Sequence, residues 1–122
     1  MDKQALVSIT ASVDDYNVEC DGASRLVHLF LNRKGVSHTC YCGHIEKING
    51  DILFNPHFWT VAGDFIVDYR ARMWLGPQAQ HGVFLATDHP DIRYVGDPIV
   101  FGIEGCIIVE MFCKKAGVFA DV

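Results

Sequence analysis

The chain has 122 residues, half of them apolar and 20% charged, with a formal net charge of −5. That length fits one domain, residues 1–122, whose core is large enough to stand without disulfides or a metal, and the apolar content excludes a disordered chain. An acidic balance repels phosphate backbones and argues against nucleic acid as a partner; the longest apolar runs fall far short of the roughly 20 residues of a membrane-spanning helix.

Residues Met1 to Thr10 mix charges with short apolar stretches and do not read as a signal peptide, so a cytoplasmic protein is expected. The longest basic cluster is Lys114-Lys115, and no charged tail stands out. Five cysteines, an odd count, are expected to be free thiols in such a chain, and most free cysteines are small buried hydrophobes. Ala5 to Ile9 fits either a helix or a short strand, and Asp14, Asp15 and Asn17 mark a loop. Asp21 to Lys34 reads as a helix: Leu26, Val27, Leu29, Phe30 and Leu31 give a broad apolar face, the acidic start and basic end suit the helix dipole, and Gly35 suits the C-terminal cap.

Val36 to Lys47 reads as a strand ended by the turn Asn49-Gly50-Asp51, a strong hairpin signal. A second strand, Ile52 to Val61, is interrupted at Asn55-Pro56; Pro56 has no N–H for a ladder and belongs at a bulge, an edge or a strand start. After a turn at Ala62-Gly63-Asp64 comes a third strand, Phe65 to Arg70. His81 to Ala86 is a short strand or loop, Asp88 to Asp91 a turn, and Ile99–Ile103 and Cys106–Cys113 read as two further β segments. The fold expected is α+β, an N-terminal helix packed on an antiparallel sheet of about five strands.

A two-residue turn at Ala62-Gly63 sets His57 directly opposite Asp68, about 4.5–5.5 Å apart on one face. A turn at Gly63-Asp64 instead sets Arg70 opposite His57 and leaves Asp68 within diagonal reach. A carboxylate so placed can fix an imidazole's tautomer and orientation; a plain polar contact on a surface strand pair is the alternative. Asp68 lies among Phe65, Ile66, Val67 and Tyr69, where an unpaired charge is costly. Cys20 stands at the loop-to-helix junction, where a helix N-terminus favours a thiolate, and Gly22 leaves room beside it for a substrate.

This order resembles the papain-like cysteine hydrolase superfamily, most closely its compact bacterial transglutaminase-like branch. The resemblance covers roughly residues 16–76. Its carriers are the helix opened by Cys20 and closed at Gly35, then His57-Phe58-Trp59-Thr60-Val61-Ala62-Gly63 and Phe65-Ile66-Val67-Asp68. It implies a papain-like core in which Cys20 attacks a carbonyl carbon, His57 carries the proton and Asp68 orients His57, through an acyl-thioester and without a cofactor. The substrate implied is an amide or isopeptide bond of a peptide or protein, with hydrolysis or acyl transfer as the outcome. The Cys20 N–H is one expected oxyanion donor, and Gln4, Tyr16 and Asn17 are the side-chain candidates. Trp59, Arg70, Arg72 and Trp74 are candidate substrate contacts; alternatively 69–76 is a solvated turn whose Met73, Trp74 and Leu75 cap the core. The chain is short for a full peptidase, so a cleft that is shallow or shared with a partner is expected.

Other constellations compete. A non-catalytic binding protein on the same scaffold fits the small size and high apolarity. Cys40, Cys42 and His44, with His38, form a row along one strand, but its last three members spread over about 13 Å, which argues against a closed zinc site; no metal ligand is assigned, and a small zinc-binding protein, its ion lost with Cys40→Ser and Cys42→Ser, stands as the lesser alternative. His44 is the second candidate for the base. Phosphate-loop, dinucleotide and Gly-x-Ser-x-Gly fingerprints do not occur. The apolar segment Ile99 to Phe112 could pair across a homodimer edge.

Overall fold

A computed structural model describes residues 1–113; the Lys114-Lys115 cluster lies outside the described residues. Helix α1 (Lys3–Thr10) is opened by Asp2, whose carboxylate accepts the Ala5 N–H at 2.8 Å, and a 3-10 turn (Ala11–Asp15) follows. Helix α2 (Cys20–Arg33) is the central helix, and Gly35 takes the positive φ of +68° just beyond its end. Strands β1 (Thr39–Lys47), β2 (Ile52–Ala62) and β3 (Phe65–Asp68) run as a meander. The short helix α3 (Ala71–Leu75), β4 (Gly82–Leu85), a 3-10 turn (Ala86–Asp88), β5 (Ile92–Ile99) and α4 (Ile103–Phe112) complete the order.

The five strands form one antiparallel sheet in the order β4-β3-β2-β1-β5. The α+β expectation holds at this level. Two expectations for the C-terminal third fail. The last strand among the described residues is Ile92–Ile99, and Ile103–Phe112 is a helix packed on α2, not a pair of β segments. Branched apolar residues suggest strands, but a short apolar run carries no periodicity that separates a strand from a packed helix. The β-edge pairing imagined for Ile99 to Phe112 falls with it.

Two layers meet on the sheet. On one side Leu6, Leu26, Leu31, Ala62 and Val67 form the main core, extended by Leu29, Cys40, Phe101 and Cys106 beneath α4. On the other, Trp59, Ile66 and Phe84 gather with Tyr41 and Tyr94 into an aromatic cluster. Gly96 makes that cluster possible: a Cβ there would stand 2.8 Å from the Trp59 ring. The β1–β2 register shifts between Gly43 and Ile45, opposite the stretch holding Pro56, so Pro56 does mark an irregularity.

The β2–β3 turn is Gly63-Asp64, not Ala62-Gly63: Thr60 pairs with Val67, Val61 with Ile66 and Ala62 with Phe65. Gly63, at φ +59°, occupies the first central position, the one a II′ hairpin turn gives to glycine. His57 and Asp68 are therefore diagonal rather than directly opposed.

Candidate functional site

The diagonal is short enough. His57 Nε2 lies 2.7 Å from Asp68 Oδ2, and the ring is 0% and Asp68 3% exposed. Asp68 ends β3, where the chain turns into α3. Its Oδ1 accepts the backbone N–H groups of Arg70 at 2.9 Å and Ala71 at 3.2 Å. Its Oδ2 accepts a second hydrogen bond, from the Tyr94 hydroxyl on β5 at 2.6 Å. Tyr94 in turn accepts from Gln80 Nε2 at 2.6 Å. Four donors thus meet one buried carboxylate, which answers the desolvation that an aspartate in an apolar strand incurs. Burial, then the charge and hydrogen bond of Asp68, push the Tyr94 hydroxyl upward, so it remains a donor.

An ionised carboxylate only accepts, so His57 Nε2 is the donor of that contact and Nδ1 is the ring nitrogen not committed to Asp68. Nδ1 is buried without a full hydrogen-bond partner among the described residues. Beside the ring stands Cys20 at the first position of α2, half-buried. Burial is the largest influence on His57 and opposes its charge. The hydrogen bond to Asp68, the Cys20 thiol and the charges of both outweigh it and hold the imidazole at about 9, above the ordinary 6.5.

Gly22 is a close packing contact. It is buried, and a Cβ there would come within 2.8 Å of the Val18 side chain. The loop before Cys20 is drawn onto the sheet by Arg70. That guanidinium donates to the carbonyls of Val18 at 2.6 Å, Tyr16 at 2.7 Å and Tyr69 at 2.7 Å, and to Asp14 Oδ1 at 2.9 Å. Arg70 is therefore a structural clamp, 6% exposed, with its donors committed inside the fold instead of offered to a substrate. Trp59 is likewise enclosed, stacked between Tyr41 and His57, because β2 turns it into the aromatic layer. Arg72 and Trp74 stay at the surface: Arg72 Nε donates to the Ala79 carbonyl at 2.7 Å, and Trp74, 46% exposed, stacks on Phe54.

A groove of about 400 Å³ runs past the mouth of α2, lined by Asn17, Glu19, Gly22, Arg25, Met73 and Val109 among others. Asn17 is the oxyanion candidate that lines it. Gln4 is exposed on α1, and Tyr16 leans on Phe30, ten residues or about 15 Å along α2 from Cys20. His44, the competing base, is paired with Glu46 at 2.7 Å. Tyr94 and Gln80 carried no signal in the sequence, since their role depends on strand order alone.

No protein-family model matches the chain, and neither a curated protein nor a solved structure matches it at a significant level. Among the described residues, no helix is long and apolar enough to cross a membrane.

Proposed function

We propose that the chain performs cysteine-dependent acyl chemistry on an amide or isopeptide bond of a peptide or protein, as a compact papain-like, transglutaminase-like enzyme. The carrying observation is a thiol at a helix mouth beside an imidazole whose other nitrogen is held 2.7 Å from a buried carboxylate. In this reading Cys20 Sγ bonds to the carbonyl carbon while its proton resides on His57 Nδ1. The oxyanion is met by the Cys20 N–H and by Asn17 at the groove. The C–N bond then breaks as His57 returns its proton to the leaving amine, leaving a thioester. Water, or an acceptor amine, gives its proton to His57 and attacks the thioester, releasing Cys20. Asp68 holds the ring in the tautomer that both steps need.

Alkylation by iodoacetamide at limiting concentration tests this reading. Cys20 should react fastest of the five thiols, and His57→Ala should slow it at least about tenfold. Equal reactivity of Cys20 and Cys113, or no effect of His57→Ala, overturns it.

One observation favours the non-catalytic alternative, a cleft that grips a partner. Ile108, Met111 and Phe112 are exposed on α4, whose Val109 lines the groove. Contiguous exposed apolar surface of that kind marks association. A partner binding equally well to Cys20→Ser, without turnover by the native chain, would favour it.

A further inference from the structure

We propose a second site, separate from Cys20, in which His28, His38 and Cys40 hold a zinc-class divalent ion. The row legible in the sequence is His38, Cys40, Cys42 and His44, and it spreads too far. The fold keeps His38 and Cys40 and brings His28 to them in place of Cys42 and His44. His28 comes from the middle of α2, His38 from the loop before β1, and Cys40 from β1 itself, and their ligand atoms all lie within 4.8 Å of one another. His44 is turned to Glu46 instead.

The hydrogen bonding around the three suits ligation. His38 Nδ1 lies 2.7 Å from the Val36 carbonyl, which only accepts, so Nδ1 carries the proton and Nε2 presents its lone pair. A backbone carbonyl fixing the far nitrogen in this way is the usual support of a metal-bound histidine. That lone pair faces His28 Nδ1 at 2.7 Å, so His28 is the donor of the contact. An ion entering between them takes the place of that shared proton. Burial, and then His38, hold His28 below its ordinary value, so its ring is neutral and able to ligate. The Thr60 hydroxyl reaches the Cys40 sulfur at 3.9 Å, a donor suited to a thiolate. Burial pushes the Cys40 thiol up, and the ion has to displace that proton.

Bond lengths of about 2.0–2.1 Å to nitrogen and 2.3 Å to sulfur imply ligand atoms roughly 3.3–3.7 Å apart in a tetrahedron. The 2.7 Å contact must open and the 4.8 Å span must close, which are side-chain movements. Both imidazoles are half-buried, so a fourth position is open to water. Borderline-soft Zn(II) suits two imidazoles and a thiolate, whereas hard Mg(II) or Ca(II) does not. His28 stands eight residues, or about 12 Å, along α2 from Cys20, so the ion is not a partner of the proposed nucleophile.

The test uses the full chain, reduced and stripped with a chelator, titrated with Zn(II) against a chromophoric competitor and with Co(II) for its spectrum. One equivalent of Zn(II) should bind, and Co(II) should show a thiolate charge-transfer band. His28→Gln and His38→Gln should each weaken binding at least about 100-fold, and Cys40→Ser should remove the charge-transfer band. Cys20→Ser and Cys42→Ser should leave both intact. Circular dichroism of the metal-free variants checks folding; should buried Cys40→Ser unfold, the two half-exposed histidine variants decide. Absence of stoichiometric binding, or binding that survives both histidine variants, overturns the proposal.

Discussion

The Tyr94 hydroxyl donates to Asp68 Oδ2 at 2.6 Å, the same oxygen that His57 Nε2 approaches at 2.7 Å. Strand β5 thereby reaches past β1 and β2 to fix a carboxylate at the end of β3, and Gln80 holds the tyrosine from behind at 2.6 Å. Tyr94→Phe removes one of four donors to a buried carboxylate and leaves Gln80 without its acceptor. It should cost about 1.5–3 kcal/mol in urea unfolding, since a lost hydrogen bond to a charge is worth that much. In the proposed reaction it should lower kcat more than it raises KM, because Tyr94 positions His57's partner and does not touch substrate. An unchanged unfolding midpoint contradicts the role drawn for it.

His57 makes stability depend on alkaline pH. Its folded value is raised to about 9 from 6.5. A group raised in this sense stabilises the fold fully below its unfolded value and loses that contribution as pH rises through its folded value. The contribution, on the order of 3 kcal/mol, should be present below about pH 6.5 and lost by above pH 9. Urea midpoints from pH 6 to 10 should fall with pH, and His57→Gln should flatten the trend. A midpoint that rises over this window contradicts the assignment. The proposed chemistry should also decline above about pH 9, since release of the leaving amine uses the His57 proton.

Arg70 clamps the loop that leads into α2. Removing its guanidinium takes one donor each from the carbonyls of Val18, Tyr16 and Tyr69 and breaks the ion pair to Asp14. Arg70→Met should destabilise by roughly 3 kcal/mol, and Arg70→Lys should recover little, because one ammonium cannot reproduce the planar fork. Chemical denaturation measures both, and amide exchange should rise first over residues 13–18.

Gly22 lies against Val18 at the first turn of α2. Gly22→Ala gains helix propensity but drives a Cβ to 2.8 Å from the Val18 side chain. The expected net result is destabilisation of about 1–2 kcal/mol, with slower alkylation of Cys20 as the helix mouth shifts. Val18→Ala in the same chain should restore most of both, and failure of that rescue contradicts the packing account.

Asn17→Ala probes the groove. If its amide meets the oxyanion, kcat should fall by about 10²-fold with the unfolding midpoint unchanged. A comparable rise in KM with kcat unchanged assigns Asn17 to substrate binding instead.

Local rules were enough for α2, for the meander of three strands and for the pairing of His57 with Asp68. An amphipathic helix and tight glycine turns are set by nearby residues, and a diagonal partner tolerates a shift in turn position. Local rules also marked Cys20 by its place at the start of α2. What they left open needed distant contacts. The run from Ile103 to Phe112 is a helix because α2 offers it a face to pack on, and nothing in its own composition says so. Trp59 and Arg70 look like surface groups along the chain, yet the aromatic layer encloses the one and the loop at 13–18 the other. Tyr94 at Asp68, and His28 beside His38 and Cys40, are brought together by β5 lying next to β1 and by α2 crossing the sheet. Such neighbours arise from chain paths that cross, and residue spacing along one strand or helix does not encode them.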